Sequence, residues 1–303
     1  MNDDYFSWRK MKNKDKDIIC AEEMLRDLED DYTCAAARFI SRVPSRDPVW
    51  TLTGKKNELK ALIINSKSTV LPVFYAGNCA KESSQFDMPS PKFLGSYFQL
   101  KRIHSIQGLK EEVIILEDVI QKYGREISDI FDYDFMCLDF LAAKPVNCSA
   151  EKTAEKKIMP GLVIKTPKMT DLDALAPLQA DYEHEEVLHK GSVFSPAASR
   201  INLASIVAGG NILAAEIDGR IVGKINVSGV SFTKYLIGGV YIHPDFRNLG
   251  IAETMTSCFI SSLVKDGMGV NLFVKKSNLA AKKLYTKLGF KVVKDYRITY
   301  FYD

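Results

Sequence analysis

A segment between Val240 and Ala252 has the residue types and spacing of an anion-binding turn. It reads Val-Tyr-Ile-His-Pro-Asp-Phe-Arg-Asn-Leu-Gly-Ile-Ala, an apolar strand followed by the start of an amphipathic helix. The first turn of a helix has N–H groups without partners inside the helix and lies at the positive end of its dipole, so it binds phosphate groups. Arg247 adds a charge-assisted donor, Gly250 allows close backbone approach, and Ala252 is too small to crowd a ligand. An ordinary loop-to-helix turn is the alternative for this pattern taken alone.

The elements that position this turn are also indicated by the sequence. Apolar residues recur at helical spacing over 251–263, and Gly267 ends that helix. Residues 270–275 predict a buried strand, and a helix follows Asn278 and ends at Gly289. Upstream, we predict a strand at 162–165, a helix opened by Thr170 or Asp171, a helix from Ser195-Pro196 to Gly209-Gly210, and strands at 211–217, 220–230 and 235–242.

Over roughly residues 160–303 the sequence resembles the GNAT superfamily of acyl-CoA N-acyltransferases. The matching residues follow the family's order and spacing: Gly238-Gly239-Val240-Tyr241, His243-Pro244, Arg247-x-x-Gly250-x-Ala252, Asn278, Ala281 and Leu284-Tyr285-x-x-Leu288-Gly289-Phe290. Asn248-Leu249 departs from the family, which has a second basic residue or glycine there. The resemblance implies an α/β (α+β) fold with a central mixed, mainly antiparallel sheet, flanked by helices and splayed at the CoA site. Two terminal strands are expected to end the chain.

The resemblance also implies acetyl-CoA as the acyl donor, bound as a cosubstrate without a metal. The pyrophosphate would contact the turn formed by Arg247, Asn248, Leu249, Gly250, Ile251 and Ala252. The pantetheine arm would pair like an added strand with Val240, Tyr241 and Ile242, and Gly238-Gly239 fits a bulge where that strand leaves its neighbour. Asn278 and Lys282 complete the predicted CoA-binding residues, and Lys275 and Lys276 are further candidates for the 3′-phosphate.

Acyl transfer from a thioester to an amine needs a polarised carbonyl, a neutral amine and a proton for the leaving thiolate. A backbone N–H near Val240 or Tyr241 would polarise the carbonyl. The resemblance places Tyr285 at the general-acid position, and a phenol of pKa about 10 can protonate a thiolate of pKa about 8–9. A core tyrosine flanked by Leu284 and Leu288 is the alternative.

The general base is expected in the acidic run Tyr182-Glu183-His184-Glu185-Glu186, in the segment that shapes the acceptor pocket of this fold. A carboxylate of Glu186 or Glu185 would attract an ammonium substrate and accept its proton through water. A solvated helix face is the alternative for such a run, and His184 or His189 could act instead.

Composition excludes several function classes. The 303 residues are 46% hydrophobic, enough for two domains with their own cores. The net charge of +3 is too small to indicate a nucleic-acid partner, and the six cysteines include no C-x-x-C pair, which argues against zinc sites and disulfides. No apolar run approaches the ~20 residues that span a bilayer, and the N-terminus has no apolar signal core, so we expect a cytoplasmic protein without a membrane partner.

Residues 143–157 are polar and lack apolar periodicity, so we predict domains at 1–145 and 160–303. In the first half we predict a long helix at 17–41, strands at 49–53, 59–64 and 70–75, a helix at 109–123 and an apolar run at 135–141. This order is similar to that of the second half, which suggests a degenerate copy of the same fold; an unrelated α/β domain is the alternative. Its turn at 104–108 lacks R-x-x-G-x-A, so we expect no CoA site there.

The sequence therefore predicts an acetyl-CoA-dependent N-acetyltransferase that acts by direct attack of a primary amine. A catalytically silent acyl-CoA-binding or regulatory module is the alternative. The acceptor pocket of this fold is built from variable loops, so a small amine, an amino acid, an aminoglycoside and a protein N-terminus all stay open, as do acyl chain length and oligomeric state.

Overall fold

A computed structural model describes residues 7–12, 15–43, 46–54, 58–74, 103–138, 159–264 and 267–302. The chain divides into two compact units, one of Met1–Asp134 with Val293–Asp303 and one of Phe135–Val292. These units differ from the expected 1–145 and 160–303, because the C-terminal residues belong to the first unit. The expected linker, 143–157, lies outside the described residues. In the described part of the chain, no helix has the length and apolar character needed to cross a lipid bilayer.

The strands in chain order are β1 Ser7–Lys10, β2 Val49–Thr53, β3 Leu59–Ser66, β4 Thr69–Phe74, β5 Ser105–Leu109, β6 Ile127–Leu138, β7 Leu162–Lys165, β8 Ile212–Ile217, β9 Arg220–Val230, β10 Lys234–Ile242, β11 Gly269–Lys275 and β12 Phe290–Phe301. The helices are α1 Asp15–Asp27, α2 Glu29–Ser41, α3 Lys110–Lys122, α4 Leu172–Tyr182, α5 Pro196–Ala208, α6 Ile251–Leu263 and α7 Leu279–Lys287.

The first unit has a mixed sheet in the order β1-β2-β3-β4-β5-β12-β6. Its predicted strands and helices are present, although a break after Asp27 divides the long N-terminal helix into α1 and α2. The prediction of a turn at 104–108 is wrong, because Ser105–Leu109 forms β5 and pairs antiparallel with Tyr296–Tyr300 of β12. The sequence alone hides this pairing because the two segments are far apart along the chain. Apolar side chains of β3, β4, β5 and α3 form the core on one face of the sheet.

The second unit has the strand order β6-β11-β10-β9-β8-β7, with β10 and β11 parallel and β7 to β10 antiparallel. The predicted order of helices and strands is confirmed from β7 to α7. Ser195 accepts a hydrogen bond from the Ala198 amide and caps α5, and Asp218 and Gly219 have the positive φ values of a tight hairpin. One apolar cluster packs α6 and α7 against the sheet, and a separate cluster packs α4 and α5 against it.

The end of the chain differs from the expectation. One continuous strand, β12, stands where two terminal strands were expected. Its residues from Val293 onward belong to the first unit, where they pair with β5. The two expected strands would require a turn, whereas an extended partner strand is available to residues 296–300.

Candidate active site

A gap opens in the sheet of the second unit between β10 and β11. The two strands pair in parallel only from Lys234↔Gly269 to Ile237↔Leu272. On the other side of β10, the register with β9 passes from Gly238↔Asn226 to Tyr241↔Lys224 and skips Gly239 and Val240. The strand thus has a β-bulge where it leaves β11, as the Gly238-Gly239 pair predicts.

The bulge requires glycine at position 239. Gly239 has a φ of +60°, in the left-handed region that side chains with a Cβ rarely adopt. A Cβ there would also collide with the amide oxygen of Asn226 and lie 3.0 Å from the Nζ of Lys224. The backbone at the head of the gap is therefore held by close contacts from β9.

The strand-to-helix turn after β10 contains the predicted anion-binding residues. A single helical turn, Pro244–Phe246, follows His243, whose ring accepts from the Asp245 amide. Gly250, with a φ of +77°, is the N-cap of α6 and offers no side-chain cap to its first amides. The Ile251 side chain that follows is buried in the core.

Arg247 lies in an ionic cluster with two other predicted site residues. Its Nη2 donates to both carboxylate oxygens of Glu185, at 3.1 and 2.9 Å, and its Nε donates to the Ile242 carbonyl at 3.0 Å. The Tyr241 hydroxyl donates to the same carboxylate at 2.6 Å. The structure therefore brings together a predicted general base and a predicted phosphate ligand.

These contacts change how Glu185 and Tyr241 titrate. Burial acts to raise the pKa of the Glu185 carboxyl, but the hydrogen bonds from Tyr241 and Arg247 outweigh it and leave the pKa below its ordinary value. Burial and the adjacent carboxylate raise the pKa of Tyr241 to about 12. Glu185 is thus a weak proton acceptor in this arrangement.

Glu186 faces a different set of groups. Its carboxylate accepts from Asn278 Nδ2 at 3.2 Å and lies 3.3 Å from Lys275 Nζ. Asn278 in turn accepts from the Ala281 amide and caps α7. An open groove of about 530 Å³ is lined by the two glutamates, Lys275 and residues 277–280. Two candidate CoA-binding residues, Lys275 and Asn278, therefore share one groove with both predicted bases.

Tyr285 lies on the buried face of α7, with 7% of its surface exposed. Its ring contacts that of Phe290 edge to face, with the centroids 5.8 Å apart. Burial, followed by the electrostatic effects of Tyr182 and Glu186, raises the pKa of the phenol. The group is therefore protonated at neutral pH, as a general acid must be, while its ring serves the core.

The remaining candidates lie at the edges of this region. Lys282 is on the first turn of α7, where its amide donates to the Asn278 carbonyl at 3.0 Å. The ring of His184 lies 4.5 Å from that of Phe194, and His189 contacts the Lys190 carbonyl. Neither histidine joins the Glu185 or Glu186 contacts described above.

Sequence analysis missed Lys224, the most unusual group at this site. Lys224 is on β9, fully buried, and its Nζ donates to the Gly239 carbonyl at 2.9 Å. The same atom lies 4.6 Å from the centroid of the Tyr182 ring. Burial lowers the pKa of Lys224 to about 7, and the negative charge of Glu183 only partly offsets this.

The missed signal was a lone lysine inside an apolar strand. The segment Ile221-Val-Gly-Lys-Ile has hydrophobic residues on both sides of Lys224. Because a strand buried on both faces has no solvent side, a lysine within it must find polar partners inside the protein. Those partners, a bulge carbonyl and an aromatic ring, depend on tertiary contacts.

Comparisons with known proteins agree with this geometry. The second half is similar to N-alpha-acetyltransferase 20 of Dictyostelium discoideum, with 31% identity over 86 residues, which are 26% of this chain and 49% of that protein. An acetyltransferase of Pectobacterium atrosepticum is 34% identical over 84 residues, 27% of this chain and 57% of its own. The chain thus spans about half the length of the curated relatives it matches.

Solved structures match the fold along almost the whole chain. A tandem GNAT protein from the clavulanic acid biosynthesis pathway aligns over 97% of both chains, with a TM-score of 0.63 and 11% identity. A GCN5-related N-acetyltransferase from Sphaerobacter thermophilus aligns over 97% of this chain and 94% of its own, with a TM-score of 0.61 and 15% identity. These likenesses show a common fold. The model of the acetyltransferase (GNAT) family matches residues 175–290, and this part of the chain is a GNAT-family domain.

Proposed function

We propose that the second unit transfers an acetyl group from acetyl-CoA to a primary amine by direct attack. The observation that carries this proposal is the gap between β10 and β11, which begins after Ile237 and Leu272 and is followed along the chain by the uncapped start of α6. An exposed strand edge suits the amides of a pantetheine arm, and the first amides of α6 suit a pyrophosphate. The residues present therefore fit acetyl-CoA.

Acetyl-CoA would supply an activated carbonyl and a thiolate leaving group. On the protein side, Arg247 and the first amides of α6 bind phosphate oxygens, and the N–H of Val240 or Tyr241 polarises the carbonyl. Tyr285 holds the proton that the leaving thiolate needs, since burial keeps its phenol protonated.

Glu186 is the better of the two proposed bases. Glu185 is held by Arg247 and Tyr241, and these contacts lower its pKa. Glu186 faces the groove between the π-helical turn at 183–187 and the start of α7, where a cationic amine would approach. Its charge attracts the ammonium form, and its carboxylate then accepts a proton directly or through water.

We also propose that the first unit is a degenerate GNAT domain without a CoA site. Its strand-to-helix junction, between β5 and α3, begins with Glu111 and Glu112 in the first helical turn. The Glu111 carboxylate repels a pyrophosphate from that helix start, whereas burial raises the pKa of Glu112 to about 8. The Glu112 carboxyl is buried and accepts from the Phe74 amide at 2.9 Å, so it serves the interior of this unit.

The test is thiol release from acetyl-CoA in the presence of small amines, amino acids, aminoglycosides and peptides, combined with calorimetric titration of CoA. We expect turnover with at least one amine class and one CoA bound per chain. CoA binding without turnover across the panel would favour the silent module. A stoichiometry of two would contradict the assignment of the first unit.

A further inference from the structure

Lys224 has no role in the chemistry proposed above, although it is buried beside the gap between β10 and β11. It lies directly across from Tyr241 in the antiparallel pair of β9 and β10, so the two side chains leave the sheet on the same face. That face packs against α4, whose Tyr182 ring lies 4.6 Å from the Lys224 Nζ. A charged group in such a place is costly and needs a specific partner.

That partner is the backbone of Gly239. The Lys224 Nζ donates to the Gly239 carbonyl at 2.9 Å. Burial raises the pKa of the nearby Tyr182 phenol, and the backbone of Gly239 acts in the opposite direction. The carbonyl of the bulged residue is thus held by a side chain on the α4 face.

The orientation of the next amide follows from peptide planarity. In a trans peptide the carbonyl of one residue and the N–H of the next point in opposite directions. Since Lys224 draws the Gly239 carbonyl toward itself, the Val240 N–H points away from the α4 face. The strand register with β9 skips Val240, which lies three residues beyond Ile237, the last residue of β10 that pairs with β11.

We propose that Lys224 is a positioning residue for acyl transfer: it holds the Gly239 carbonyl so that the Val240 N–H points into the gap between β10 and β11. This proposal rests on the proposed function. There the N–H donates to the carbonyl oxygen that becomes negative when the amine attacks. A glycine bulge needs such a clamp, because glycine alone adopts positive and negative φ with similar ease. When protonated, Lys224 also polarises the peptide and strengthens its N–H as a donor.

The first test is Lys224→Met, which keeps the length of the side chain and removes the donor. An aligned oxyanion donor contributes ~10²–10³-fold, so its misalignment should lower kcat by about 10- to 100-fold with little change in the KM for acetyl-CoA. Lys224→Arg keeps a cationic donor and should recover part of kcat. The matched control is Lys234→Met, on the part of β10 that pairs with β11, which should change kcat by less than about twofold.

A binding experiment separates the clamp from general structural damage. Acetyl-CoA has the carbonyl that the Val240 N–H would contact, whereas ethyl-CoA lacks it. In the wild type acetyl-CoA should bind more tightly than ethyl-CoA, and Lys224→Met should remove this difference while the affinity for CoA is kept. In the free protein, the variant should also shift the amide ¹⁵N resonance of Val240 and the carbonyl ¹³C resonance of Gly239.

The outcomes distinguish this proposal from the proposed function. An inactive wild type would overturn the acetyltransferase assignment, while resonances of Gly239 and Val240 unchanged in Lys224→Met would overturn the clamp alone. A loss confined to the acidic limb of the amine kcat/KM profile, with the carbonyl preference kept, would identify Lys224 as a base and contradict its positioning role. Should Lys224→Met fail to fold, Lys224→Leu is the second variant that removes the donor to the Gly239 carbonyl, and unchanged kcat and carbonyl preference there would contradict the clamp.

Discussion

The Arg247 guanidinium lies 2.9 Å from the Glu185 carboxylate, on the turn where an anion is expected to bind. Both side chains are about two-fifths exposed, so their attraction is modest and is screened by salt. A phosphate and a carboxylate compete for the same Arg247 donors. In the proposed function, Glu185 should therefore weaken CoA binding while it orients the arginine.

This competition predicts that Glu185→Gln binds CoA more tightly. The amide keeps one hydrogen-bond acceptor for Arg247 and Tyr241 but removes the negative charge beside the phosphates. We expect a gain of about two- to tenfold at low salt, or up to about 1.4 kcal/mol, and a smaller gain at high salt. Calorimetry at two salt concentrations measures it. Weaker CoA binding in the variant would show that Glu185 is needed to hold Arg247 in place.

For Gly250→Val we predict a loss of CoA affinity that is separate from its loss of stability. Its φ of +77° is strained for any residue with a Cβ, although a Cβ there would meet no atom within 4 Å. Gly250→Val should cost about 1–3 kcal/mol of stability and weaken CoA binding at least about tenfold, because it disturbs the first turn of α6.

Gly210 is the matched control for this change. It has a φ of +74° and open space around it, but it follows α5 and is far along the chain from the 247–252 turn. Gly210→Val should lose similar stability and keep its CoA affinity. Equal affinity losses in both variants would remove the assignment of the 247–252 turn as the phosphate site.

Tyr285→Phe tests the general acid. The variant keeps the ring that contacts Phe290 and removes only the hydroxyl. Because general acid–base groups contribute ~10²–10⁴-fold, kcat should fall by that order while CoA affinity and the melting temperature change little. Steady-state kinetics and calorimetry on the same preparation decide the matter, and wild-type turnover would leave Tyr285 as a core residue.

Most elements of the second unit were predictable from local signals. Caps and tight turns are written in a few adjacent residues, such as Ser195-Pro196 before α5 and Asp218-Gly219 between β8 and β9. The bulge at Gly239 was predictable for the same reason. β5 and the single strand β12 were not, because each depends on a partner about 190 residues away along the chain.

The sequence indicated most residues of the candidate site but not the contacts between them. The sequence indicated Arg247 and Glu185 separately, with a phosphate and an amine as their partners. Their pairing depends on how α4 and its π-helical continuation at 183–187 pack beside β10, which periodicity does not specify. Lys224 was missed because its burial is a tertiary property of β9.

Glu186→Gln tests the assignment of the base. The change keeps the size and the hydrogen bond from Asn278 but removes the charge that faces Lys275. We expect a lower kcat/KM for the amine and an altered acidic limb of its pH profile, with CoA binding unchanged. The matched control is Glu216→Gln, a carboxylate paired with Lys165 on β7, which should keep wild-type kinetics. A wild-type pH profile and amine KM would place Glu186 on a solvated face.

The lowered pKa of Lys224 predicts how the free energy of unfolding depends on pH. Burial lowers its pKa from 10.5 to about 7, so between these values the unfolded chain binds a proton that the folded chain does not. Lys224 therefore lowers the free energy of unfolding most below pH 7. This loss shrinks as pH rises above 7, by up to ~1.4 kcal/mol per pH unit. Its charged and titratable neighbours are Tyr182 and Tyr241, whose raised pKa values keep them neutral here, and Glu183, whose charge acts in the opposite direction.

The measurement is denaturant unfolding of wild type and Lys224→Met between pH 7 and 9, a range chosen to stay below the titration of unfolded tyrosines at about 10. We expect the wild type to gain about 1–3 kcal/mol relative to the variant over this range, and the variant to be at least as stable at pH 7 because methionine is cheaper to bury than a lysine. Lys283→Met, an exposed site on α7, should run parallel to the wild type at every pH. If the free energy of unfolding of Lys224→Met also ran parallel to that of the wild type at every pH, Lys224 would have an ordinary pKa in the folded protein. The interpretation of Lys224 as a buried, partly neutral amine would then be wrong.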